Sequence, residues 1–225
     1  MTKDSTQQAW FFDFDGVLAD TALIKAELFV ELLRDLTPKE TQSILVYCLR
    51  EGGVPRREKF IHIHKELLKR TLNDKSLENL CNEYTKNVVD RVLHAPLAPG
   101  ALKTLEHLPK TVKAFVISGT PHIEINSLCR EMGITQYFES ICGSPRSKPE
   151  WILDLMSQHT ISAKNARMIG DSITDLNAAR LTGLEFVGVD IHQLGYLPDD
   201  EIVLPDLYPL QEHLTHKLHS HLEPA

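Results

Sequence analysis

Trp10-Phe11-Phe12-Asp13-Phe14-Asp15-Gly16-Val17-Leu18-Ala19-Asp20-Thr21 is the stretch that decides how the rest of the chain is read. Trp10 to Phe12 form a short apolar run with the pattern of a buried strand. Two carboxylates two residues apart follow at once, and then a glycine. Where the chain curls past a strand end, Asp13 and Asp15 can aim at one point rather than at opposite faces. Open α/β sheets place their ligands at the carboxyl ends of strands. Close carboxylates repel, and a hard divalent cation with oxygen ligands, typically Mg2+, relieves that repulsion. The alternative reading is a strand followed by an ordinary Asp-Gly turn.

Three later segments bear on that choice. Val112 to Ile117 is a second apolar run and ends in Ser118-Gly119-Thr120. A hydroxyl and a glycine N–H at a strand end suit a phosphate oxygen. Ser147-Lys148-Pro149-Glu150 places a lysine beside a helix start, where proline is favoured. Met168-Ile169-Gly170-Asp171 is another strand ending in glycine and acid, with Asp175 four residues later. Each segment alone is ordinary loop chemistry. Together, in this order at strand ends, they form a specific signal.

The order DxDGVxxDT, Ser-Gly, Lys-Pro, GDSxxD resembles the haloacid dehalogenase superfamily of phosphotransferases. It is most similar to the branch with a helical cap inserted after the first motif, which includes phosphoglycolate phosphatases and β-phosphoglucomutases. The resemblance runs from about Ala9 to about Val189. It implies a Rossmann-like, doubly wound α/β core with the first motif on its central strand. The expected division is a core of residues 1–20 and 98–225 and a helical cap of residues 21–97.

The chain of 225 residues, 42% apolar and 24% charged, has ordinary soluble composition. Its net charge of −7 argues against a non-specific nucleic-acid surface. A local pocket around Lys148 and a metal ion can still hold an anionic substrate. Cys48, Cys81, Cys129 and Cys142 have no CxxC spacing and read as reduced structural thiols. No apolar run approaches a membrane span. The expectation is a cytoplasmic protein, monomeric or homodimeric, with a polar, frayed N-terminus over Met1–Gln8.

After Thr21 the period becomes helical, with Leu23, Leu28, Leu32 and Leu36 on one stripe. Thr37-Pro38-Lys39-Glu40 has the pattern of a capping box opening a second helix to about Leu49. Glu51-Gly52-Gly53-Val54-Pro55 breaks it. A third helix is predicted over Arg57–Leu72 and a fourth over Leu77–Leu93. From Gly100, strands and helices alternate, the pattern of a parallel sheet. Gly133 and Gly183 close helices, and Phe186 to Val189 reads as the last strand. The tail carries a stripe of Leu210, Leu214 and Leu218.

The resemblance implies a role for each motif residue. Asp13 takes the phosphoryl group as an aspartyl-phosphate, splitting one displacement into two. Asp15 protonates the leaving oxygen and then activates water. Aspartate at that place fits the phosphatases and mutases, whereas phosphonate- and halide-cleaving members carry other residues. Mg2+ is held by Asp13, the backbone carbonyl of Asp15 and Asp171. Asp175 binds that metal through water or positions Lys148. Ser118 and the Gly119 N–H hold the transferring oxygens, and Lys148 offsets their charge. The bland reading of Lys148 is a solvated surface lysine.

The segment Gly52 to Lys59 is similar to the substrate-specificity loop of this branch, and Arg56 matches the position that meets a substrate anion. Lys59 is a second candidate there. Both are also consistent with a solvated basic helix start. Two features depart from the pattern. The mutase relatives carry a histidine shortly after the first motif, where Lys25 stands here, twelve residues past Asp13. No acid follows Lys-Pro-x, and Arg146 either supplements Lys148 or faces water. His213, His216, His219 and His221 have no metal-ligand spacing and read as solvated helix faces.

The leading expectation is a Mg2+-dependent phosphatase acting on a small phosphomonoester, such as phosphoglycolate or a sugar phosphate, without nucleic acid or membrane. The rivals are a sugar phosphomutase and a phosphate-binding protein that kept the fold without turnover.

Overall fold

Both faces of strand β1 (Gln8–Phe12) are covered, which explains its unbroken apolar run. Trp10 and Phe12 point into one apolar cluster, and Ala9 and Phe11 into another on the opposite face. In a computed structural model, which describes residues 7–210, β1 lies inside a parallel sheet of six strands. The order is β3-β2-β1-β4-β5-β6, with β2 at Val112–Pro121, β3 at Ser140–Ser144, β4 at Ala166–Gly170, β5 at Glu185–Val189 and β6 at Val203–Leu204. This is the expected Rossmann-like α/β fold, flanked by helices.

Register carries the motifs to one edge. Phe12 pairs with Val116 of β2 and Ile169 of β4, so Asp13, Ser118 and Asp171 lie just beyond the same level. The Asp13 N–H donates to the Ile169 carbonyl at 2.9 Å, extending the ladder to the first acid. Helices α7 (Lys148–Gln158) and α8 (Ile173–Thr182) cover the Phe11 face through Ile152, Leu155, Leu176 and Ala179. Helices α5 (Ala101–Glu106) and α6 (His122–Glu131) cover the Trp10 face.

Between β1 and β2 the chain forms helices α1 (Ala22–Glu31), α2 (Pro38–Arg50), α3 (Arg56–His62) and α4 (Asp74–Leu93). Their apolar faces meet around Phe29, Phe60 and Tyr84, whose rings lie 4.5–6.1 Å apart. The two chain crossings into this insert pair with each other: Asp20 N–H donates to Pro96 O, and Ala98 N–H to Leu18 O, each at 3.0 Å.

The capping box at Thr37 and Glu40 forms as the sequence predicts, and Gly133 and Gly183 take left-handed conformations at helix ends. Several boundaries differ. The predicted helix to Leu72 instead passes into a π-helical turn at Ile63–Leu67 and stops at Leu68. Lys69 then has φ +53, which breaks the helical path. The first helix ends at Glu31 instead of Leu36, and β6 adds a strand after β5 that two residues were too short to signal. Gln8 belongs to β1, where the polar composition of Met1–Gln8 predicts a frayed end. The leucine stripe beyond Leu210 and the four tail histidines lie outside the described residues. All four cysteines are free, and no described helix is long and apolar enough to cross a membrane.

Candidate active site

Four strand-end segments deliver their polar residues to one place. Asp13 leaves β1 buried at 3% exposure, and Lys148, at the first position of α7, reaches it with Nζ 2.9 Å from Oδ1. The same Nζ donates to Asp175 Oδ1 at 2.5 Å. Lys148 is therefore no surface lysine. Burial opposes its charge, but Asp13 and Asp175 together outweigh that and hold its pKa above the ordinary value.

Asp175 has its other oxygen engaged as well. Ser172 is the N-cap of α8 and Asp175 its third residue, and they form a capping box with Ser172 Oγ donating to Asp175 Oδ2 at 2.6 Å. Asp175 thus holds Lys148 through Oδ1 while also belonging to the acid cluster. Asp171 differs: its Oδ1 is buried with no hydrogen-bond partner among the described residues, and Asp13 Oδ1 has only the ion-pair approach of Lys148. Burial pushes the Asp13 carboxyl up to about 7, helped by the negative charge of Asp175. Burial, then Asp13, holds Asp171 well above the usual carboxylate range. Unpartnered carboxylate oxygens in a buried acid cluster are the donor set of a hard divalent cation. One oxygen each of Asp13, Asp171 and Asp175 lie within 4.8 Å of one another.

Gly16 makes room for Asp171. Its φ is +78, and a Cβ there would lie 2.1 Å from Asp171 Oδ2. The Asp-Gly turn and the acid site are thus one structure, and the two initial readings of the first motif do not exclude each other.

Asp15 faces a different set of partners. Thr21 Oγ1 donates to its Oδ1 at 2.5 Å, and Lys25 Nζ and Thr120 Oγ1 donate to its Oδ2 at 2.6 and 3.2 Å. Burial would raise its pKa, but the Lys25 ammonium and these bonds lower it. Sequence reasoning treated Lys25 only as a departure from the mutase pattern and missed this contact. The signal was Thr120, which closes the Ser-Gly-Thr motif and also receives a bond from Lys25 at 2.8 Å. Ser118 is buried, and its Oγ accepts from the Thr120 N–H at 3.1 Å.

The Gly52-Gly53 turn of the insert lies directly on this edge. Gly53 N–H donates to Thr174 Oγ1 at 2.9 Å, and its Cα side faces Lys148. A Cβ on Gly119 would sit 2.3 Å from the Gly53 carbonyl oxygen, so the two backbones touch only because residue 119 is glycine, and a Cβ on Gly53 would meet Thr174 and Lys148 instead. Backbone cannot swing aside as a side chain can. Gly119→Ala is therefore expected to lift the turn and lower kcat/KM by about a hundredfold, the scale of an ångström-level misplacement. Steady-state kinetics on any ester the protein turns over checks this, and parental kcat/KM would remove the close approach from the mechanism.

Arg56 and Lys59 are not solvated. Arg56, expected to present its fork to a substrate anion, instead donates Nη2 to both carboxylate oxygens of Glu124 of α6, at 2.6 and 2.7 Å, with side chains 12% and 9% exposed. It also donates to Thr85 and lies over the Tyr84 ring. Lys59 Nζ donates to the carbonyls of Cys48 and Gly52, each at 3.0 Å. Arg146 is held along α7 by Asp154 and Glu150 O and does not supplement Lys148. A cavity of about 50 Å3 lies between the insert and the strand ends, lined among others by Asp15, Lys25, Lys59, Tyr84, Thr120 and Asp171.

Acids and a buried lysine gathered at the carboxyl edge of a parallel sheet place the molecule among Rossmann-like α/β enzymes. The family model described as haloacid dehalogenase-like hydrolase matches residues 10–189, and the chain belongs to that family of enzymes. A phosphoglycolate phosphatase of Agrobacterium fabrum is 26% identical over 231 residues, covering 97% of each chain. Another from Mesorhizobium japonicum is 26% identical over 190 residues, 80% of this chain and 81% of the relative. A β-phosphoglucomutase structure from Clostridium difficile superposes with a TM-score of 0.71 at 20% identity, over 96% of this chain and 99% of that one. At that identity the likeness is one of fold.

Proposed function

We propose that the protein is a Mg2+-dependent phosphatase that hydrolyses a small phosphomonoester through an aspartyl-phosphate on Asp13. The observation that carries this reading is the buried Asp13–Lys148–Asp175 line with the unpartnered Asp171 oxygen beside it. The phosphatase names of the relatives over most of the chain support it.

Asp13, Asp171 and the backbone carbonyl of Asp15 would hold the metal. When bound, Mg2+ supplies charge neutralisation for the phosphoryl oxygens. Asp13 attacks phosphorus, the bond to the leaving oxygen breaks, and that oxygen takes a proton. Lys148, held by Asp175, offsets charge on the transferring group, and Ser118 and the Gly119 N–H orient its oxygens. Asp15 exchanges the protons. Its lowered pKa suits the base half of the cycle, in which it draws a proton from water attacking the aspartyl-phosphate. An arriving phosphate dianion adds negative charge beside Asp15 and favours its acid form for the first half. The helical insert of residues 21–97 serves as a cap whose Gly52-Gly53 turn excludes water from the first transfer.

Release of inorganic phosphate from a panel of phosphomonoesters, with and without Mg2+, tests the reading. A phosphomutase would instead return the phosphoryl group to a sugar, and a binding protein would release none.

The metal site has its own expected pH dependence. The raised pKa values of Asp13 and Asp171 mean that Mg2+ must displace protons they hold near neutrality. The Mg2+ concentration that half-saturates thermal stabilisation should therefore fall as pH rises through about 7. Magnesium titrations of the melting temperature at pH 6, 7 and 8 measure this, and a pH-independent midpoint would remove Asp13 from the ligand set.

A further inference from the structure

We propose that Lys59 recognises a carboxylate on a compact leaving group, and that Arg56 fastens the insert to the core; this rests on the phosphatase reading. The buried cations of the site are not alike in their partners. Lys148 has Asp13 and Asp175, Lys25 has Asp15, and Arg56 has Glu124. Lys59 is 6% exposed, yet its Nζ donates to the carbonyls of Cys48 and Gly52 and lies over the Phe29 ring, with no carboxylate at ion-pair distance among the described residues. An ammonium has three donors, so one N–H remains beyond these two bonds. The carbonyls at the end of α2 carry partial charge that favours a cation, but they neutralise no full charge. A buried ammonium with no carboxylate at ion-pair distance is costly, and burial lowers the pKa of Lys59 although Asp15 and Asp171 oppose the shift from further off. An anion that enters with the substrate supplies the missing partner.

The cavity restricts what that anion is. Lys59 lines it together with Lys25, Asp15 and Thr120, and Phe29 and Tyr84 form an apolar wall. Its volume of about 50 Å3 leaves space for only a few water-sized groups. A short hydroxy acid esterified to phosphate brings a carboxylate into that space with few other atoms. A cation with one N–H to spare and no directly paired acid matches one carboxylate. Arg56 cannot serve in its place without surrendering Glu124, and the charge-assisted bonds from its Nη2 to both Glu124 oxygens join α3 of the insert to α6 of the core.

The test compares phosphoglycolate with 2-hydroxyethyl phosphate, which replaces the carboxylate by a hydroxymethyl group. Binding is measured calorimetrically to the Asp13→Asn protein with Mg2+, so that no turnover is needed. Phosphoglycolate should bind at least about tenfold tighter, as expected for a hydrogen-bonded charge pair. Lys59→Met should bring the two affinities within about threefold of each other. Lys59→Gln keeps two N–H donors for the Cys48 and Gly52 carbonyls without the charge, and should do the same. Collapse of the preference in both variants, with melting curves showing a folded protein, supports the assignment. A preference that survives in either folded variant overturns it, as does equal binding, or no binding, of the two esters by the protein with Lys59 intact. Failure of the phosphatase reading shows elsewhere, as no phosphate released from any ester by the wild-type chain.

Discussion

Asp13→Asn is expected to lower kcat by about 10⁴-fold or more, since an amide of the same shape cannot form the acyl phosphate and loss of a nucleophile has effects of this order. The same change should stabilise the metal-free protein, and the sign follows from the carboxyl's pKa. Asp13 has an ordinary value of 3.8 and stands at about 7 in the fold, raised by burial and Asp175 even with Lys148 beside it. Below the unfolded value it is protonated in both states, and no penalty arises. Between the two values the folded state comes to oppose ionisation, and above about 7 the destabilisation is fully present. Metal-free Asp13→Asn should therefore melt above the parent at pH 8, with the difference vanishing towards pH 4. Thermal unfolding in chelator at those two pH values measures it. Parental turnover by the folded variant would sink the nucleophile assignment, and a lower melting temperature at pH 8 would sink the electrostatic account.

Lys148→Met should have the next largest effect. The lysine is the shared cation of Asp13 and Asp175, and removing it leaves two buried carboxylates without it. Breaking a buried charge pair costs about 3–5 kcal/mol, so the metal-free protein should unfold at markedly lower urea concentration. Protonation relieves uncompensated carboxylates, so the deficit should be smaller at pH 5 than at pH 8. On catalysis, loss of one charge aimed at the transferring group should lower kcat by about 10²–10³-fold. Urea melts at both pH values and kcat at saturating ester test the two effects separately. Unchanged kcat with an intact fold would mean that Lys148 serves only to pair the acids.

Local patterns were enough for much of this molecule because each rests on chemistry within a few residues. Trp10 to Phe12 had to be buried, the Thr37 to Glu40 capping box closes on itself, and left-handed backbone at Gly133 and Gly183 needs no distant partner. Helix and strand ends were less legible where the stop is tertiary. Leu68 ends α3 and its π-turn although the leucine pattern continues, and Arg70 then donates to the carbonyls of Arg34 and Asp35, across the insert. The two residues of β6 gain strand geometry only from β5 beside them.

The acid and lysine motifs were visible as types at strand ends, since short-range spacing places Asp13, Ser118, Lys148 and Asp171 after apolar runs. Which cation meets which carboxylate was not, because an ion pair across 10 to 135 residues leaves no periodic trace. Folding turned Lys25 onto Asp15, joined Arg56 to Glu124 and left Lys59 hydrogen-bonded to carbonyls rather than to an acid. It also brought Gly53 against Gly119, a backbone contact that neither segment signals by itself. Burial made these pairings matter: in water the same charges would be screened, and on the closed strand edge each must find a partner or bear the cost of having none.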